Sequence, residues 1–184
     1  MSTRIYLDLE YCYPGMTKQT GRPSKNDKRQ VVQIAAICYD NSVGKELSSF
    51  DILTAPKYAK VLPDFFTELT GITQDQVDQK SVVFSDAFEK LILFCGDSNV
   101  YTFDKDWYVL RQNCGYHKIN FAFEKKPFIR ISGKLDEWGL NQNKYSSGTL
   151  YKAAGLRMEG HVHNALHDVR SMAAATFHFD NDQM

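Results

Sequence analysis

Two acidic residues stand two positions apart in a β-type run near the start of the chain, Ile5-Tyr6-Leu7-Asp8-Leu9-Glu10. Because successive side chains of a strand point to opposite faces, Asp8 and Glu10 share one face and the two leucines share the other. Neighbouring carboxylates repel each other unless a cation lies between them, and their hard oxygen atoms favour Mg²⁺ or Mn²⁺ over zinc. Taken alone, the pair is better explained by an alternative to metal binding, in which both side chains face water at the end of an edge strand.

A third acid borders the apolar side of the predicted C-terminal helix. At about 100° per residue, this side carries Ala165, Asp168, Val169, Met172, Ala173 and Thr176. A carboxylate there is destabilising if it is unpaired, so Asp168 needs a cation, a hydrogen-bond donor or a route to solvent. Asn164 is a good N-cap residue, which predicts that His163 projects from the preceding loop into the same cleft.

Two further acids, Asp104 and Asp106, stand where a predicted strand ends and a helix begins. Acidic residues in a first helical turn complement the helix dipole or cap exposed N–H groups, and Asp104 is predicted to be such a cap. Asp106 is the better candidate for a functional site, although the local pattern alone does not decide between the two acids.

The elements that would position these residues follow two periods. Alternating apolar residues predict strands at 4–9, 30–39, 46–53, 99–103 and 128–132, with a hairpin turn at Asp40, Asn41 and Gly44. Apolar residues three and four apart predict helices at 62–69, 74–77, 85–94, 105–113, 149–154 and 165–179. An antiparallel meander followed by alternating helices and strands indicates an α/β fold with a mixed sheet flanked by helices.

Composition bounds the size and the charge of the protein. A chain of 184 residues, 43% hydrophobic and 24% charged, fits a single domain spanning residues 1–184. Its 22 basic and 22 acidic residues give a net charge of zero, so no global basic field attracts nucleic acid or anionic lipid, and any polyanion must be bound locally. The four cysteines are spaced singly and are expected to be reduced and mostly buried.

No apolar stretch approaches the length of a membrane span, and Met1 to Arg4 leads directly into a strand-like segment instead of a signal peptide. We therefore expect a cytoplasmic protein. The segment 14–30 is predicted to be a long loop, and its net charge is +4 because it holds Lys18, Arg22, Lys25, Lys28, Arg29 and Asp27. This loop either follows a phosphate backbone or is a solvated connector.

Three segments, taken together and in this order, resemble the DEDDh exonucleases of the ribonuclease H-like superfamily, which include ribonuclease T, polymerase proofreading subunits and histone-mRNA 3′-exonucleases. The segments are IYLDLE at the start, DWYVL after a central strand and HNALHD near the end. The LTGIT segment at 69–73, Gln33-Ile34-Ala35 and the G-x-x-H-x-A-x-x-D pattern at 160–168 are also similar to the family. The resemblance covers about residues 4–177 and implies a ribonuclease H-like fold with a five-stranded sheet.

The resemblance further implies a phosphodiester hydrolase that removes nucleoside 5′-monophosphates from the 3′ end of single-stranded RNA or DNA. In this chain the metal ligands would be Asp8, Glu10, Asp106 and Asp168, which would hold two divalent cations, Mg²⁺ or Mn²⁺, and His163 would be the general base. Asp106 is preferred over Asp104 because the family's third acid is followed four residues later by a leucine, here Leu110. The family often carries His-Asn or a glycine before this acid, whereas this chain has Phe103 and Asp104.

Several other residues are candidates for contacts with the substrate. The resemblance assigns Leu9 and the segment containing Thr70 and Ile72 to the terminal nucleotide. Phe103, Trp107 and Tyr108 could stack on a base, although core packing is expected for at least two of them. His161 and His167 are expected to face solvent.

Two alternatives to the exonuclease function, and the oligomeric state, remain open at this point. The chain could be a nuclease-fold module that binds nucleic acid or a protein partner without cleaving, although the presence of all five expected catalytic residues argues against this. The acids could be surface charges on an unrelated α/β domain. A homodimer is also possible, because relatives are sometimes dimers.

Overall fold

The fold is built on one mixed β-sheet, seen in a computed structural model that describes residues 3–20 and 27–181. The strands are β1 (Thr3–Cys12), β2 (Gln30–Asp40), β3 (Lys45–Leu53), β4 (Val100–Thr102) and β5 (Phe128–Arg130). Their order is β3-β2-β1-β4-β5. Strands β1 to β3 form an antiparallel meander, and β4 and β5 run parallel to β1. The predicted five-stranded mixed sheet is confirmed.

Strand β1 lies in the centre of this sheet, between β2 and β4. Its odd-numbered residues Ile5 and Leu7 pack into one apolar cluster, and the even-numbered Tyr6 packs into the cluster on the opposite face. The alternative that placed Asp8 and Glu10 in water at the end of an edge strand is therefore wrong, because β1 is an internal strand and both side chains are buried.

Helices cover both faces of the sheet. They are α1 (Asp64–Thr70), α2 (Gln74–Lys80), α3 (Phe84–Cys95), α4 (Asp106–His117) and α5 (Ala165–Asn181), with 3₁₀ helices at Ile131–Lys134 and Ser147–Lys152. Helices α3 and α4 contribute to the cluster that contains Leu7, and α5 contributes to the cluster that contains Tyr6. Helices α1 and α2 pack in a third cluster with Cys12, at the end of β1.

Two predicted elements differ from the structure in the type of secondary structure that they form. The predicted strand at 128–132 ends at Arg130, because its last partner in β4 is Thr102, and a 3₁₀ helix follows. The predicted helix at 149–154 is the 3₁₀ helix Ser147–Lys152, which begins earlier because the side chains of Ser146 and Thr149 cap each other. The hairpin turn between β2 and β3 is confirmed, with Gly44 at a φ of 69°.

The predicted loop between β1 and β2 is only partly described. Residues 13–20 form turns, in which Thr17 and Thr20 hydrogen-bond to each other, while residues 21–26, including Arg22 and Lys25, lie outside the described residues. All four cysteines are free, and Cys38 alone among them is not fully buried, as expected. Within residues 3–20 and 27–181, no helix has the length and apolar character needed to cross a membrane.

Candidate active site

The sheet topology brings three distant acidic segments to one edge. Strands β1 and β4 are parallel neighbours, so their carboxyl ends meet at the same edge of the sheet. Helix α4 follows β4 closely and begins at Asp106. Asp168 lies in the first turn of α5, which packs on β1 and β2. Asp8, Glu10, Asp106, Asp168 and His163 all line one cleft.

The two carboxylates of β1 are almost completely buried in this cleft. Asp8 is 6% exposed and Glu10 is 8% exposed. Burial, followed by the charges of Asp106 and Asp168, raises the pKa of Asp8 well above its usual value, and the charge of Glu10 adds to this. Burial and the same two aspartates also raise the pKa of Glu10. The site therefore concentrates negative charge that its own side chains do not neutralise.

Asp168 is held in place by a serine and by the loop before its helix. One carboxylate oxygen accepts a hydrogen bond from Ser147 Oγ at 2.9 Å, and the other accepts one from the backbone N–H of His163 at 3.1 Å. Gly148 packs directly against this carboxylate, because a Cβ at Gly148 would lie 2.3 Å from Asp168 Oδ1. Burial raises the pKa of Asp168, and the hydrogen bond from Ser147 opposes this effect.

Asn164 caps helix α5 and sets the position of His163. The Asn164 side chain accepts hydrogen bonds from the N–H groups of Leu166 and His167, and the N–H of Ala165 donates to Gln33 of β2 at 3.0 Å. His163 adopts a left-handed backbone conformation with a φ of 69°, just before the helix. The predicted projection of His163 from this loop into the cleft is confirmed.

Three of the predicted residues have ligand atoms close together. Atoms of Glu10, His163 and Asp168 lie within 4.8 Å of one another, a spacing that could hold a metal ion. Asp8 lies on the same face of β1 as Glu10, and its carboxylate interacts electrostatically with all three of the other acids. The arrangement is suited to binding hard divalent cations next to an imidazole.

Asp104 and Asp106 have different surroundings. Asp104 is exposed and forms an ion pair with Arg130 at 3.4 Å, so the prediction that Asp104 caps α4 is wrong. The N-cap position belongs to Lys105, because the helix begins one residue later than that prediction requires. Burial is the largest cause that raises the pKa of Asp106, to about 7, and the charge of Asp104 adds to it.

The cleft has a volume of about 1320 Å³. Leu9, Phe103 and Trp107 line it, together with Tyr108. None of these three aromatic residues is fully buried, and only Phe103 among them packs against an apolar cluster, so the expected core packing of at least two of them is wrong. Thr70 and Ile72 are buried at the end of α1 and do not line the cleft, whereas Leu69 does.

The two histidines that flank the proposed base have structural partners. His167 is only 5% exposed, and its ring nitrogens lie 3.2 Å from the carbonyl oxygens of Glu159 and Gly148. The expectation that His167 faces solvent is wrong, because it points inward from α5 and ties two loops together. His161 is exposed as expected, and its Nε2 lies 2.9 Å from the carbonyl oxygen of Leu69.

A family model described as an exonuclease matches residues 7–176 of this chain. The chain belongs to this exonuclease family. The resemblance found in the sequence is thereby confirmed, and the protein is a nuclease. Membership of this family implies divalent metal cofactors, in agreement with the carboxylate and histidine cluster.

Solved structures of exonucleases share the fold. A 3′-exonuclease described in 3′-end recognition of a histone mRNA stem-loop superimposes with a TM-score of 0.84 at 19% identity, covering 98% of this chain and 82% of that chain. The nuclease domain of 3′hExo, a DEDDh family member bound to rAMP, gives 0.82 at 20% identity, with 98% and 92% covered. The zinc-bound E. coli ExoI complex with single-stranded DNA gives 0.73 at 17% identity, with 99% and 41% covered. Among curated protein sequences, no significant match to this exonuclease is found.

Sequence reasoning missed two residues of the exonuclease site, Ser147 and Gly148, which position Asp168. Arg29, which the sequence placed in the basic loop 14–30, lines the cleft. The Ser-Ser-Gly-Thr segment at 146–149 has the spacing of a capping box, which signals a helix start but not a contact with Asp168. Only the packing of this 3₁₀ helix against α5 reveals its role.

Proposed function

We propose that the protein is a metal-dependent 3′-to-5′ exonuclease that acts on single-stranded RNA or DNA and releases nucleoside 5′-monophosphates. The observation that carries the proposal is the convergence of Asp8, Glu10, Asp106, Asp168 and His163 in one cleft. Fold neighbours described with a histone mRNA stem-loop, with rAMP and with single-stranded DNA support a nucleic-acid substrate. The whole chain would act as a single exonuclease domain.

The donor set fits divalent cations. Four carboxylates with raised pKa values face one another in the cleft, and no lysine or arginine forms an ion pair with any of the four within the described part of the chain. Such a charge cluster is destabilising until a cation enters it. We propose that these four acids hold two ions, Mg²⁺ or Mn²⁺, which when bound would neutralise the charge on the phosphate oxygens and make a water molecule more acidic.

His163 is the proposed general base. Its left-handed backbone directs the imidazole into the cleft, and the hydrogen bond from its N–H to Asp168 fixes the loop. A neutral imidazole there can accept the proton of the attacking water near neutral pH. The aromatic side chains of Phe103 and Trp107, together with Leu9, are proposed to hold the terminal nucleotide against the acids.

Digestion of matched RNA and DNA oligonucleotides, each blocked at the 3′ or the 5′ end, tests this function. We expect mononucleotide release only from a free 3′ end and only with Mg²⁺ or Mn²⁺ present. Asp8→Asn should reduce the rate at least about a hundredfold, because it removes one metal ligand. Release that starts at the 5′ end, or that persists in EDTA, would refute the proposal.

A further inference from the structure

A strip of tyrosine and basic side chains begins inside the active-site cleft and continues beyond it. We name it the tyrosine–cation strip, and it comprises Lys28, Arg29, Lys57, Tyr58, Tyr108 and Tyr116. Arg29 and Tyr108 line the cleft, whereas the other four residues do not. The strip therefore leads away from the proposed catalytic acids.

Tyr116 joins the part of the strip in the cleft to the part outside it. The guanidinium of Arg29 lies 5.8 Å from the ring centroid of Tyr108. Burial raises the pKa of Tyr116, and the charge of Arg29 lowers it. Tyr108 and Tyr58 raise this pKa by smaller amounts. Tyr108 and Tyr116 both belong to α4, whose Asn113 side chain holds the backbone of Arg29, so the two parts of the strip are neighbours on this helix.

The outer part of the strip is centred on Tyr58, which is 42% exposed. Lys28 Nζ lies 4.3 Å and Lys57 Nζ 5.7 Å from the centroid of its ring. Tyr58 meets Tyr116 edge to face at 5.6 Å, and Lys57 Nζ donates to the carbonyl oxygen of Tyr116 at 2.5 Å. Two exposed ammonium groups therefore surround one exposed aromatic ring.

Two buried amide side chains fix the backbone beneath the strip. Asn113 of α4, 2% exposed, donates to the carbonyl oxygen of Arg29 at 3.0 Å. Gln30, 1% exposed, accepts hydrogen bonds from the N–H groups of Tyr58 and Ala59. The strip is consequently attached to the start of β2 and to α4, which are parts of the rigid scaffold that also carries the site.

Within the part of the chain that the structure describes, the cations of the strip, which are Lys28, Arg29 and Lys57, form no ion pair with an acidic side chain. The buried Nε of Arg29 also has no hydrogen-bond acceptor there. In a chain with zero net charge, this surface places three basic side chains next to a cleft that is lined by the four acids proposed as metal ligands.

We propose that the tyrosine–cation strip binds the nucleotides that precede the 3′ end, with tyrosine rings stacking on bases and the three cations contacting phosphates. Exposed aromatic rings and basic groups that alternate along a surface are the features that hold single strands without sequence preference. This inference rests on the exonuclease function proposed above. If the strip binds these nucleotides, strands long enough to reach it should bind more tightly than shorter strands.

The test compares a 3-nucleotide and a 12-nucleotide fluorescein-labelled single strand. Wild-type enzyme should bind and digest the longer strand with a lower Kd and KM. Tyr58→Leu should raise the KM for the 12-mer by about 5- to 100-fold, the range expected for loss of one stacked base, with kcat within about twofold. The change for the 3-mer should be much smaller, because the 3-mer does not extend beyond the cleft.

The double variant Lys28→Gln/Lys57→Gln provides an independent readout. Loss of two phosphate contacts should reduce the slope of log Kd against log salt by about 1.4 for the 12-mer, at about 0.7 per contact. Lys90→Gln is the control, because Lys90 is an exposed lysine of α3 that does not belong to the strip. The slope for this variant should equal that of the wild type.

Binding is measured by fluorescence anisotropy in EDTA, so the result does not depend on cleavage. The proposal for the strip would be overturned if wild type, Tyr58→Leu and the double variant bind the 12-mer with equal affinities and equal salt slopes. This holds even if digestion proceeds normally. Length-dependent binding without any digestion by wild type would overturn the exonuclease function and leave the strip supported. The two failures are therefore distinguishable.

Discussion

At the scale of single residues, the dominant fact is uncompensated negative charge. Asp8, Glu10 and Asp168 are each at most 8% exposed, yet no lysine or arginine forms an ion pair with them within the described ranges. Asp168 accepts hydrogen bonds from the hydroxyl of Ser147 and the backbone N–H of His163. Buried carboxylates of this kind are destabilising unless they are protonated or bind a cation. The residues that make the site chemically useful are therefore the ones that weaken the metal-free fold.

His163 has two conceivable roles, proton acceptor and metal ligand, since its ring lies near Glu10 and Asp168. We predict that His163→Ala lowers kcat by about 10²- to 10⁴-fold, the usual contribution of a general base, while Mn²⁺ affinity changes less than about threefold. Single-turnover digestion and manganese titration calorimetry measure the two quantities. A parallel collapse of manganese binding would assign His163 to the ligand set instead.

At the scale of elements, the site depends on where helices begin. Helix α5 starts at Ala165 because Asn164 caps it and Gln33 of β2 accepts the hydrogen bond from its first N–H. The 3₁₀ helix that starts at Ser147 then packs its first residues onto the Asp168 carboxylate. Sequence periodicity predicted the start of α5 correctly, but it placed the 3₁₀ helix two residues late and so missed the contact with Asp168.

The packing of this 3₁₀ helix leads to a prediction for Gly148→Ala. A Cβ there would lie 2.3 Å from Asp168 Oδ1 and 2.8 Å from Oδ2, so the carboxylate must move. We expect Gly148→Ala to reduce activity at saturating substrate at least about tenfold and to weaken Mn²⁺ binding. Both effects should exceed those that the fraction of unfolded protein alone would cause.

Gly115→Ala is the control for this substitution. Gly115 is exposed in α4, and a methyl group added to it would meet no other described atom within 4 Å, apart from its chain neighbours and the adjacent turns of its own helix backbone. Alanine is also the better helix former by about 0.5–1 kcal/mol. Activity should remain at the wild-type level and the melting temperature should stay equal or rise. Full activity of Gly148→Ala would contradict the assigned contact.

At the scale of the whole molecule, charge is unevenly distributed although the net charge is zero. Negative charge is concentrated at the carboxyl ends of β1 and β4, and positive charge lies along the neighbouring tyrosine–cation strip. The stability of the molecule should therefore depend on pH and on divalent cations together. The direction in which stability changes with pH follows from the four acids, because their pKa values are raised in the folded state.

Between pH 4 and about 7 the metal-free folded protein holds protons that the unfolded chain has lost, so its stability should fall as pH rises. Each fully shifted acid contributes up to about 1.4 kcal/mol per pH unit. Thermal unfolding in EDTA should show this decline, and Mn²⁺ should reverse it. Asp106→Asn should flatten the decline and stabilise the metal-free protein at pH 7, by at least about 1 kcal/mol. A melting temperature in EDTA that stays constant or increases from pH 5 to 7 would contradict the expected sign.

The sequence by itself determined the fold class, the strands and helices, and the acids that share a face, because these follow from local periodicity. Alternation along β1 separated Asp8 and Glu10 from the leucines, and helical spacing put Asp168 at the edge of an apolar stripe. Family resemblance chose Asp106 over Asp104. The tertiary structure alone decided that β1 is central, that His167 is buried, that Gly148 presses on Asp168 and that Lys28 lies over the ring of Tyr58. These facts join residues far apart along the chain, and contacts between distant segments leave no period in the sequence.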